Sequence, residues 1–70
     1  MAPNQVKEEV FAYIKDYQHF VGAPLNRTTI VKDVLRKRSD FHEDDIKAVL
    51  KELLSDGLIQ KTDRGLYSVK

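Results

Sequence analysis

The sequence predicts an α+β domain that is mostly α, with three helices followed by a two-stranded β-hairpin. Three observations carry that prediction. Two short amphipathic segments open alike, Leu25-Asn26-Arg27-Thr28-Thr29-Ile30 and Phe41-His42-Glu43-Asp44-Asp45-Ile46. In each, an apolar residue precedes a candidate cap and an Ile follows four positions into the helix, the spacing of a hydrophobic staple. Gly22-Ala23-Pro24 and Gly57 punctuate the periodic segments where helices should end. After Gly57, two short apolar runs flank Thr62-Asp63-Arg64-Gly65, a tight-turn sequence.

The first helix spans about residues 5–20, with Asn4 as its candidate cap after a frayed Met1–Pro3 end. Val6, Val10, Tyr13, Ile14 and Tyr17 recur at helical spacing, and Phe20 and Val21 prolong the stripe to the helix end. Phe11 falls off that stripe. Leu25 sits in one or two extended residues before the second helix, about 27–38, whose inward face is Ile30, Val31, Val34 and Leu35. Asn26 is a good cap for it. The third helix, about 43–56, turns Ile46, Val49, Leu50, Leu53 and Leu54 inward. His42 is a poor cap, but the carboxylates that follow suit the positive end of the helix dipole. Strands are expected at about 58–61 and 66–69; a hairpin this short is marginal alone and must pack on the helices.

Seventy residues make one domain. Such a chain buries only about 60% of the surface its unfolded form exposes, so the stability margin is thin. With no Cys and two His, neither disulfides nor a structural zinc can staple it. No apolar run approaches a membrane span and no signal-peptide pattern opens the chain, so no membrane partner and a cytoplasmic or nucleoid-associated location are expected. The net charge of +1 is unevenly spread. Residues 27–38 carry Arg27, Lys32, Arg36, Lys37 and Arg38 against Asp33, whereas residues 39–56 carry six acids against Lys47 and Lys51. The third helix is therefore acidic, and basic charge concentrates in the second helix and the hairpin, with Lys61, Arg64 and Lys70.

Helix, short extended piece, helix, turn, helix, Gly and two-stranded hairpin is the order of the winged helix-turn-helix superfamily, which the chain resembles over nearly its whole length. The closest local match is Leu50-Lys51-Glu52-Leu53-Leu54-Ser55-Asp56-Gly57-Leu58-Ile59, similar to the run that ends the recognition helix and starts the wing in small transcription regulators. These are core residues, so they speak for fold more than for function. The resemblance implies a DNA-binding domain. It places Arg27, Thr28 and Lys32 on phosphates, Asp44, Lys47, Ala48 and Lys51 toward base edges, and Lys61, Thr62 and Arg64 on phosphate or minor groove from the wing. The chain departs from the pattern at Glu43-Asp44-Asp45, because recognition helices present their first turn to the bases and three carboxylates repel phosphate. Its wing is also very short.

The residues themselves leave two readings open. Lys32 and Arg36, four apart on the second helix, can meet one nucleic-acid backbone, though a charged helix face is more commonly just solvated. Arg38 falls near the apolar side, where its stem can cover the core. The acids of the third helix stabilise its dipole, by roughly 0.3–1 kcal/mol each at exposed sites, or else dock a basic protein partner. Phe11 is either a surface aromatic tucked against a loop or the contact of a homodimer through the first helix. His19 and His42 lack a Ser, Cys or carboxylate at a telling spacing, and no phosphate loop or nucleophile motif occurs. No catalytic residue, metal site or cofactor is expected. The readings are a small regulator binding double-stranded DNA, or a protein–protein interaction module using the acidic third helix.

Overall fold

The computed structural model describes the backbone from Pro3 and the side chains from Gln5, through to Lys70. It contains three helices followed by a two-stranded antiparallel hairpin. Helix α1 runs Pro3–Val21. It starts before Asn4, so Asn4 is not its cap residue; a Pro in the first helical turn loses nothing, since its missing N–H has no acceptor there. Pro3, expected in a frayed end, is instead the first helical residue, and the expected fraying of Met1 and Ala2 lies outside the described residues. Val6, Val10 and Ile14 are buried, and Tyr13 and Tyr17 are partly buried against the same core. Gly22, at φ 75°, closes the helix by donating its N–H to the Gln18 carbonyl at 2.9 Å.

Phe20 and Val21 correct the sequence reading. They are 82% and 58% exposed, because the last turn of α1 projects beyond the elements that cover Val6, Val10 and Ile14. The Phe20 ring packs edge-on with the His19 ring, at 5.1 Å between centroids.

Helix α2 runs Arg27–Lys37. The Asn26 side chain accepts the Thr29 N–H at 2.7 Å, and Leu25 and Ile30, the two ends of the staple, are both buried. The helix ends one residue earlier than the periodicity suggests. Arg38 is its C-cap, and the guanidinium lies 4.6 Å from the Phe41 ring centroid, with Glu9 and Asp40 beside it. It is the guanidinium, rather than the stem the sequence pointed to, that is placed over the buried Phe41.

Helix α3 runs Glu43–Ser55, between the buried Phe41 and a glycine stop. His42 makes no side-chain cap bond, so the staple of Phe41 on Ile46 and the first-turn acids define this start. At the far end Leu58 N–H reaches the Leu53 carbonyl at 3.0 Å and Gly57 N–H the Leu54 carbonyl at 3.1 Å. That is a Schellman stop, and Gly57 supplies the left-handed residue it needs, at φ 78°.

Strands β1 (Ile59–Lys61) and β2 (Tyr67–Val69) pair antiparallel, Ile59 with Val69 and Lys61 with Tyr67. Each is a residue shorter than expected, since Leu58 completes the helix stop and Leu66 belongs to the turn. On the free side of β2, Leu25 exchanges both backbone hydrogen bonds with Tyr67, at 2.9 and 2.6 Å. This one-residue bridge ties the start of α2 to the hairpin. The Gln18 side-chain oxygen accepts the Val69 N–H, anchoring β2 to α1 as well. Val10, Ile14, Ile30, Ile46, Leu50, Leu53 and Ile59, one to three from each of α1, α2, α3 and β1, form the fully buried centre.

Candidate nucleic-acid interface

Helix α2 starts beside the first turn and a half of α3, and between them lies an open groove of about 340 Å³. Arg27, Thr28 and Lys32 line it from α2, and Glu43 and Lys47 from α3. Val31 and Leu35 complete its lining with apolar surface. The staple and the Asn26 cap fix where Arg27 and Thr28 stand, because they set the entry of α2. The first amides of a helix lack intrahelical acceptors, so this end of the groove favours anions.

Electrostatics within the groove are set by one acid. Glu43 Oε2 lies 2.8 Å from Lys47 Nζ, one helical turn apart. The hydrogen bond to Lys47, then its charge, then the charge of Arg27 hold the Glu43 carboxyl below its usual range. The acidic first turn is thus partly neutralised from within. Lys47 is correspondingly committed, which leaves Arg27 and Lys32 as the groove cations outside any ion pair among the described residues.

The remaining residues picked out by sequence divide into three groups. Asp44, Ala48 and Lys51 are exposed on α3, outside the groove lining. Arg36 is exposed but does not join Lys32 in the groove lining. At the hairpin, Lys61 lies 5.7 Å from the Tyr67 ring centroid and Arg64 is exposed in the turn. Thr62 belongs to the architecture of that turn. Its hydroxyl oxygen accepts the N–H groups of Arg64 at 3.3 Å and Leu66 at 3.1 Å, and its own N–H donates to the Leu66 carbonyl.

Tyr13 and Tyr17 pack at 6.2 Å between centroids on the core side of α1. Burial, then the hydrogen bond that Tyr13 donates to Asp33, push its hydroxyl pKa up. Asp33, the one acid among the bases of α2, is therefore turned toward α1, away from the groove lining. Sequence reasoning missed both this pairing and the inward role of Glu43. The second was readable from the Glu43–Lys47 spacing; the first joins residues twenty positions apart and has no local signal. Phe11 is partly buried, with Lys15 Nζ at 5.2 Å from its ring centroid.

Among the described residues, no three His, Asp or Glu side chains are placed to share a metal ion, and no helix is long and apolar enough to cross a membrane. Comparisons of the chain with protein-family models, with curated proteins and with solved structures found no match.

Proposed function

We propose that the chain is a winged helix-turn-helix domain that binds double-stranded DNA as a small transcription regulator, in the cytoplasm or on the nucleoid. The observation that carries this reading is the convergence of Arg27, Thr28 and Lys32, at the start of α2, with Lys47 of α3 on one groove. Backbone phosphates meet Arg27, Lys32 and the first amides of α2, and Lys61 and Arg64 of the hairpin extend the contact. Lys51, Ala48 and Asp44 of α3 face the groove of the duplex. The extended Leu25 between α1 and α2, bonded to β2, supports the winged arrangement, whose order includes such a piece.

A second reading rests on Asp44, which is exposed and in no ion pair among the described residues. With Asp45 it offers a basic protein partner an acidic docking turn. Charge reversal separates the two. Arg27→Glu, Lys32→Glu and Lys61→Glu together abolish duplex binding if DNA is the partner, while Asp44→Lys with Asp45→Lys leaves it intact or strengthens it. Duplex binding unmoved by the basic-to-acidic set overturns the DNA reading.

A further inference from the structure

The outer side of α1 carries a recess of about 280 Å³ lined by Lys7, Glu8, Phe11, Leu53 and Leu58. Leu58 is 41% exposed and Phe11 partly so, which leaves an apolar strip beside the helix. Lys7 is committed to Asp56 at 2.5 Å and Glu52 at 3.6 Å. Glu8 and Lys15 are exposed and in no ion pair among the described residues. They lie seven residues apart, on the same side of the helix, with the small exposed Ala12 between them.

We infer that this side of α1 pairs with a second copy of the chain, antiparallel, about a two-fold axis that passes between the two helices at the level of the Phe11–Ala12 bond. The charges select the occupant and its direction. Midway between Glu8 and Lys15 lies the Phe11–Ala12 bond, so the two-fold sets Glu8 of each copy against Lys15 of the other. A parallel pairing sets Glu8 on Glu8 and Lys15 on Lys15, and is repulsive. Ala12 lets the helices approach, and the two Phe11 rings meet on the flank that holds Leu58. The pairing is independent of DNA, since none of these residues lines the α2–α3 groove.

A stable dimer buries about 800 Å² on each partner, roughly a sixth of the 4728 Å² the chain exposes. An interface built on one helix face and its flank belongs to the smaller, weaker class, so dimerisation is expected only at high protein concentration.

The test is sedimentation equilibrium over a concentration series, without DNA, on the whole chain. The wild type shifts from monomer to dimer as concentration rises. Glu8→Lys and Lys15→Glu each turn two attractive contacts repulsive and weaken self-association by about tenfold or more. Mixed one to one, those two variants pair with each other, because each presents what the other lacks. Both substitutions are at exposed sites, and circular dichroism checks that the fold is kept. Phe11→Ser weakens association in either background. A wild type that stays monomeric to millimolar concentration overturns the inference. So does association that survives both single charge variants, or variants that fail to pair on mixing.

Discussion

Replacing Leu25 by Ala tests the joint on which the whole arrangement depends. Leu25 is 2% exposed, staples the start of α2 through Ile30, and bridges to Tyr67. The bridge uses only backbone atoms, at 2.9 and 2.6 Å, so Ala keeps both bonds and the loss is that of the side chain alone. A buried Leu→Ala change costs about 2–5 kcal/mol, from lost transfer energy and the cavity left behind. A domain of this length has a total margin of about 4–10 kcal/mol. At about 4–8 °C per kcal/mol, the midpoint of thermal unfolding should fall by about 8–40 °C. Leu58→Ala is the control: Leu58 is 41% exposed, and the change should cost less than about 1 kcal/mol. Thermal and urea unfolding followed by circular dichroism read both variants. A Leu25→Ala midpoint no lower than that of Leu58→Ala would refute the claim that the buried Leu25 side chain staples the start of α2 into the core.

Other outcomes follow from the same contacts. Asn26→Ala deletes the acceptor for Thr29 N–H and should cost about 1 kcal/mol in urea unfolding, with Asn26→Asp nearly neutral. Glu43→Gln releases Lys47 for a phosphate, so the dependence of log K for duplex DNA on log salt should steepen by about 0.9, seen in a binding series. The depressed carboxyls of Asp40, held chiefly by Arg38, and Glu43, held chiefly by Lys47, stabilise the fold at neutral pH. Their contribution is present above the unfolded values near 3.8 and 4.5 and is lost as pH falls through the lower folded values. Unfolding midpoints at low salt should therefore drop on acidification in the wild type and drop less in an Arg38→Gln, Lys47→Gln double variant; equal drops would remove both pairs from the account.

What was legible in the chain was local. Caps, staples and glycine stops act over four or five residues, and Asn26, Ile30, Gly22 and Gly57 sit in the structure as their spacing implies. The stripe of α1 told which side faces inward, but not how far its cover reaches, which is why Phe20 and Val21 emerged exposed. Lys32 and Arg36 share a spacing that suggests one surface, yet the groove wall is set by where α3 begins, a tertiary fact. The resemblance placed Thr62 among the wing contacts, while the turn uses its hydroxyl to hold two backbone amides. The bridge of Leu25 to Tyr67 joins residues far apart in sequence, and only its extended conformation could be anticipated.

Central to the account is the cationic groove with its hairpin extension as a phosphate-binding surface, and the most direct measurement is fluorescence anisotropy of a labelled random-sequence duplex across a salt series. With Arg27, Lys32, Lys61 and Arg64 each meeting one phosphate, binding should lie at about 1–100 μM and weaken with a log–log slope of about −3 to −4. No binding at low salt, or binding that salt leaves unchanged, would contradict it and turn attention to the exposed Asp44 of α3.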